Sequence, residues 1–272
     1  MGRRNEPIEG EGESVGRSDP FSSKNPPDSQ GYIGITTPWA FPIFAFVLSL
    51  ITSSIGVVIA SSLAGSNLSA SSTTLTEPIL IGSLGGLWIV FFGASWVASH
   101  RWGTGKITVD LGIAIKPVDL LVGSAIGVAA QLILVPVIYL LYQLLTGSSA
   151  SGLSAPAQKL VNSGGSGPSE VLVGALIVVG APIVEEIFFR GLTQRSFLYA
   201  TRNMSAGVSK LVSLLGSSII FTIAHFEGLQ SFGLFGVALI LGYLAMRNRR
   251  LGTSMVAHAS FNLVSFIALV RH

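Results

Sequence analysis

Residues Trp39–Ala60 read WAFPIFAFVLSLITSSIGVVIA, a run without a single charged side chain. About 20 consecutive apolar residues cross a ~30 Å hydrocarbon core as a helix. The apolar positions are continuous rather than alternating, and a lone spanning segment can satisfy its own backbone in lipid only as a helix. Six further runs follow, at about Ile79–Ser99, Leu120–Leu145, Val171–Phe189, Val208–His225, Phe232–Met246 and Ser254–Val270. The last four are shorter or carry polar residues. The expected fold is all-α: a polytopic membrane bundle of about seven transmembrane helices. The whole chain agrees. Of its 272 residues 49% are hydrophobic and 11% charged, and its mean hydropathy is +0.66. Soluble domains carry about 25% charged residues, so this chain has too few to cover a water-facing surface. The 32 glycines suit close helix packing in lipid. The absence of cysteine removes disulfides, thiolate metal sites and cysteine nucleophiles.

Outside the spans, residues 1–37 are rich in Gly, Ser, Pro and charge and read as a disordered cytoplasmic tail. Glu6, Glu9, Glu11 and Glu13 stand where a secretory signal would be basic. Residues 38–145 form an N-terminal three-helix membrane region. Residues 146–169, mostly Gly, Ser and Ala, read as a flexible external linker. Residues 170–270 form a second membrane region. Residues 107–115 alternate Ile107, Val109, Leu111, Ile113 and Ile115 with Thr108, Asp110, Gly112 and Ala114, which fits a short surface strand or an interfacial segment.

Lysine and arginine partition between the connections. Counted from the tail through each connection to the C-terminal end they number 4, 0, 3, 1, 4, 0, 3 and 1. Fourteen of the sixteen thus fall on one side, which by the positive-inside rule is the cytoplasm and puts the N-terminus there and the C-terminus outside. Trp39, Trp96 and Trp102 fall near cytoplasmic span ends, as interfacial anchors do. The pI of 9.4 therefore reflects topology, and no nucleic-acid partner is expected.

Ionisable groups within apolar spans are expensive and mark function. Here they gather in the second half: Glu185, Glu186, His225 and His258, with Arg190 and Asn262 beside them. Adjacent helical residues point about 100° apart, so Glu185 and Glu186 have different duties. Glu186 and Arg190 are i,i+4 with the acid N-terminal, the favourable order for a pair. Glu185 is left to face a cavity as a general base. His258 and Asn262, also i,i+4, share a face and can supply donors. A base, a proton donor and an oxyanion stabiliser are what hydrolysis needs. Glu185, His225 and His258 also form a two-His, one-Glu set that could ligate zinc, and spacing does not choose between the two uses. His225 ends the fifth span, on the wrong side from Glu185. A fourth helix continued to about Leu198, or a tilted fifth, brings them to one depth, in a water-filled cavity open to the cytoplasm.

EEIFFR supplies Glu-Glu-x-x-x-Arg (Glu185, Glu186, Arg190), FTIAH supplies Phe-x-x-x-His (Phe221, His225) and HASFN supplies His-x-x-x-Asn (His258, Asn262). In order and spacing the set resembles the CPBP intramembrane proteases, which include the type II CAAX prenyl endopeptidases and bacterial Abi-type and immunity relatives. The resemblance covers about residues 170–270. It implies an endopeptidase inside a helical membrane domain that acts on a membrane-associated peptide or protein. It further implies that Glu185 and His225 activate water and that His258 and Asn262 stabilise the oxyanion, with Glu186 and Arg190 supporting. The family is often labelled metalloprotease. A metal-independent glutamate mechanism is preferred here, because His-Glu-x-x-His is absent and Asn262 suits an oxyanion donor better than a zinc ligand. Zinc on Glu185, His225 and His258 is the alternative. Nothing in the sequence says that the substrate is prenylated.

Other readings are weaker. Gly164–Gly165–Ser166–Gly167 matches the short rhomboid Gly-x-Ser-Gly pattern but lies in the linker, outside any span. A proton-coupled transporter would favour inverted repeats, whereas the ionisable groups are confined to one half. A non-catalytic scaffold or immunity factor on a protease fold is disfavoured by the intact motifs. Reporter fusions after residues 72, 108, 155 and 272 are expected to read out, in, out, out, and a cytoplasmic C-terminus would mean a helix miscounted.

Overall fold

A computed structural model describes residues 34–65, 75–149, 154–226 and 228–270. Among them are seven helices long and apolar enough to cross a membrane, and no strand. They are α1 (Ala40–Leu63), α2 (Glu77–Trp102), α4 (Pro117–Thr146), α6 (Pro168–Ala200), α7 (Ala206–Ala224), α8 (Ser231–Asn248) and α9 (Gly252–Val270). Two short helices complete the set: α3 (Ile107–Asp110) and α5 (Ala155–Asn162). All seven expected spans are present. Leu48, Ile51, Ile55, Val58 and Ile59 of α1 are exposed, while Ser49 and Ser61 are buried. That inversion suits a helix in lipid, where small residues bring backbones together.

The α1–α2 hairpin shows the small-residue packing. Gly56 and Gly82 meet so closely that a Cβ on either would strike the other's carbonyl oxygen. Thr52 Oγ1 donates to Gly86 O at 2.7 Å, and the Ser53 and Ser83 hydroxyls lie 2.9 Å apart. α4 packs on α9 in the same manner, with Gly123 and Gly127 against Thr253, Val256 and Ala257. Asp119, buried at the start of α4, accepts from the Lys116 N–H at 2.7 Å and from Thr253 Oγ1, and pairs with Arg250. This clamp fixes the start of α9, the helix that carries His258.

Both α4 and α6 contain an interior proline. Each widens into a turn of i→i+5 bonding just before it: Ala130–Leu134 before Pro136, and Leu176–Gly180 before Pro182. Proline has no N–H and its ring clashes with the carbonyl four residues back. In α6 that carbonyl belongs to Val178, inside the widened turn, which relieves the clash without ending the helix. A third such turn spans Glu186–Thr193.

Three regions differ from the sequence reading. The packed chain begins before residue 38: Ile35 and Thr37 are fully buried, and Thr36 donates through N and Oγ1 to Trp102 O, both at 3.1 Å. Trp102 closes α2, where carbonyls lack helical partners, so this segment satisfies one. The rest of the expected tail, residues 1–33, lies outside the described residues. Residues 107–115 form the turn of α3 and a loop rather than a strand. Asp110 turns inward, accepting from Ser99 Oγ at 2.5 Å, Thr104 Oγ1 at 2.8 Å and Thr104 N at 3.0 Å, and no neighbouring strand is there to pair with. Finally, the expected linker contains α5, packed on α9 with Val161 buried. Ala157, Leu160 and Val161 stand at i, i+3, i+4 and give that helix one apolar face.

Candidate active site

The fourth span is longer than the apolar run. α6 continues past Phe189 to Ala200, and Glu185 lies near its middle. Every residue from Glu186 to Ser196 is buried. Arg190 and Arg195, assigned above to a connection, are therefore interior groups. Arg202 and Lys210 remain to mark that connection as basic, so the alternation of basic and non-basic connections survives.

Arg190 NH1 lies 2.8 Å from Glu186 Oε1, and both side chains are essentially inaccessible. Arg190 NH2 also donates to Ala238 O at 3.2 Å, and the guanidinium sits 4.3 Å from the centre of the Phe221 ring. Phe91 stacks on Phe188 at 3.9 Å, and Phe189 meets Phe221 edge-on at 5.2 Å. The pair is thus enclosed by aromatic rings and one carbonyl. Its cost of desolvation is large, and removing one partner leaves a bare charge.

Glu186 has a second duty that sequence spacing does not show. His258 Nδ1 lies 3.3 Å from the same Oε1. A carboxylate oxygen accepts, so Nδ1 carries the proton and Nε2 is turned the other way, to within 3.9 Å of Glu185 Oε2. That separation is too long for a hydrogen bond; it is the spacing a bridging water would take. Among the described residues no side chain or backbone group donates to Glu185 Oε2. Arg190, Glu186, His258 and Glu185 therefore form one chain of contacts that ends on a buried carboxylate oxygen of a residue lining a cavity.

His225 ends α7. Its Nδ1 is 2.8 Å from Phe221 O, a carbonyl of the last turn. A carbonyl can only accept, so Nδ1 carries a proton. The following residue, Phe226, has φ of 50° and turns the chain out of the helix.

Asn262 Nδ2 donates to Ile177 O at 2.9 Å. In the widened turn the N–H that would serve this carbonyl belongs to residue 182, which is proline. Asn262 thus repairs the defect that Pro182 makes, and only one of its two amide hydrogens is used.

Glu185, His225, His258 and Asn262 line one cavity of about 550 Å³. The structure brings together all four residues expected to act, and seats Glu186 and Arg190 behind them. Gln131, Tyr139 and Gln230 line it too; they carry no formal charge, so ionisable groups alone do not mark them in the sequence. A polar amide within a span, as at Gln131, was the available signal. The cavity does not open where expected. Beyond Glu185 toward Ala200 lie the phenylalanine cluster and the buried ion pair. The opposite wall reaches Ser154, Ala157 and Leu160 of the α5 region, Gln230, and Leu269 near the end of α9. The mouth is therefore at the end of the bundle away from the arginine-rich connections. An opening to the cytoplasm and a cytoplasmic N-terminus cannot both hold.

The zinc alternative fits poorly. Among the described residues no three His, Asp or Glu side chains gather as a metal-binding group. Glu185 and His258 are neighbours, while the His225 ring is held by its own helix.

Residues 167–264 match the family described as type II CAAX prenyl endopeptidase, Rce1-like. The matched region contains all seven motif residues and bears out the resemblance to the CPBP and CAAX protease group. α1 to α4 lie outside it. No curated protein and no solved structure matches the chain.

The shared Oε1 separates the two carboxylates experimentally. Glu186→Gln is expected to cost about 3–5 kcal/mol, because it breaks a buried ion pair, and to show as a lower midpoint in thermal unfolding in detergent. Glu185→Gln, which removes no protein hydrogen bond, should leave that midpoint nearly unchanged.

Proposed function

We propose that the chain is an intramembrane endopeptidase in which Glu185 activates the attacking water, working on a membrane-associated peptide or protein. The carrying observation is the Glu185 carboxylate: its buried Oε2 meets no donor among the described residues, and the residue lines a cavity shared with His225, His258 and Asn262. The family-level match to membrane endopeptidases supports the same reading.

Glu185 accepts a proton from water as the oxygen attacks the peptide carbonyl, and the acid so formed passes that proton to the leaving amine. His225, with Nε2 unprotonated, accepts a hydrogen bond from the other water hydrogen, which stays on the attacking oxygen, and so aims the nucleophile. The developing oxyanion is met by the second amide hydrogen of Asn262 and by His258 Nε2–H in its doubly protonated form, whose charge the two flanking carboxylates balance. Arg190 acts through Glu186, which holds the His258 ring. No step requires a metal, and zinc ligation by Glu185, His225 and His258 would need the three to converge.

The test is hydrolysis of candidate membrane peptides by the purified protein. Glu185→Gln should abolish cleavage with the fold kept, and exhaustive chelation should leave wild-type cleavage intact. Equal activity in wild type and Glu185→Gln would end the hydrolase reading, whereas loss on chelation with recovery on Zn²⁺ would replace the mechanism but keep the protease. Asn262→Ala should lower turnover by about 10²–10³ and also lower the unfolding midpoint, through the orphaned Ile177 carbonyl. Adding Pro182→Ala supplies an N–H for that carbonyl, so the double variant should recover stability but not turnover.

A further inference from the structure

Three independent features fix which side of the membrane the cavity serves and what it can hold. The first is the closed end. From Glu186 to Ser196 no residue is exposed, and Phe91, Phe188, Phe189 and Phe221 fill the space beside the ion pair. Water and peptide have no route through that end. The second is the mouth, rimmed by Ser154, Ala157, Gln230 and Leu269. These residues stand where α4 gives way to α6, where α7 gives way to α8, and where α9 finishes. The third is charge. Arg101, Lys106, Lys116, Arg202, Lys210, Arg247, Arg249 and Arg250 all belong to the closed end. Among the described residues the mouth end holds only Lys159, against Glu77 and Glu170. Short connections rich in Lys and Arg stay in the cytoplasm.

We infer that the cavity opens to the non-cytoplasmic face and admits an apolar stretch of a translocated or membrane-anchored polypeptide, gripped by its interior and not by a terminal carboxylate. The word substrate rests on the endopeptidase reading above; the side of the mouth does not. The lining supports the second half of the inference. Apart from Glu185, His225 and His258 it is uncharged, and it contains no Lys or Arg among the described residues. A carboxylate entering such a site would lose its hydration, meet no Lys or Arg, and lie beside the Glu185 carboxylate. A run of apolar side chains would exchange water for Leu80, Leu84, Leu87, Leu234, Phe261 and Phe266.

The chain has no cysteine, so single cysteines report cleanly. Ala181→Cys lies one turn from Glu185 inside the cavity, and Ala157→Cys lies at its rim. Asn203→Cys in the arginine-rich connection and Ser148→Cys after α4 are exposed references. Each full-length variant is treated with a charged, membrane-impermeant methanethiosulfonate in sealed vesicles of either orientation. Positions 181, 157 and 148 should react only from the non-cytoplasmic side and position 203 only from the cytoplasmic side. Reaction of 181 from the same side as 203, reaction of 203 from outside, or failure of both cavity cysteines to react would each overturn the assignment of the mouth. The second half is read with an apolar peptide and its C-terminal amide, reconstituted with the wild type and with Glu185→Gln. Cleavage of the amide at least as fast as the free acid supports the inference, and marked preference for the free acid overturns it. Absence of wild-type cleavage defeats both the substrate class and the peptidase reading, while the labelling result stands apart from either.

Discussion

The structure depends on one ion pair placed where no water reaches. Arg190 and Glu186 face each other at 2.8 Å in the middle of the bundle, and neither could remain charged there alone. Because Arg190 claims one carboxylate, the neighbouring one keeps an Oε2 that no hydrogen-bond donor meets among the described residues. Because Glu186 then has an oxygen to share, His258 is held by Nδ1 and presents Nε2 to the cavity. Two adjacent glutamates thus have different surroundings, one locked in an ion pair and one lining the cavity, and the 100° turn between them is what separates them.

The second constraint is a deliberate irregularity. A proline within a membrane helix removes a donor from a medium that offers no substitute. α6 answers by widening at Leu176–Gly180 and by borrowing the amide of Asn262 from α9. The repair holds Asn262 against the helix that carries Glu185, so the backbone fault and the site share one side chain. With Asp119 fastening the other end of α9 through Thr253 and Arg250, His258 and Asn262 are positioned from both directions.

Hydropathy found all seven helices because lipid imposes length and composition directly. It ended the fourth at Phe189 because Arg190 and Arg195 look like loop charges until their partners are known, and partners such as Ala238 and Asp110 are distant in sequence. The motif residues were legible as rare ionisable groups in apolar runs, and their convergence follows from helix packing that spacing only hints at. The direction of the mouth was not legible, since a sequence gives the depth of a residue but not which end of the bundle is plugged. α5 was overlooked although its apolar residues repeat at helical spacing, because glycine and serine dominate the segment around it. Residues 107–115 misled in the opposite sense: alternation is a strand signal only where a neighbouring strand exists to pair with.

The plugged floor has a consequence for the order of events. A chamber with one entrance is a cul-de-sac: on the endopeptidase reading proposed above, water, polypeptide and both fragments share the same passage. A fragment still in the passage occupies the path of the next chain, so the products of such a site compete with its substrate for one door. The pace at which fragments return to the lipid or the aqueous phase then becomes part of turnover itself.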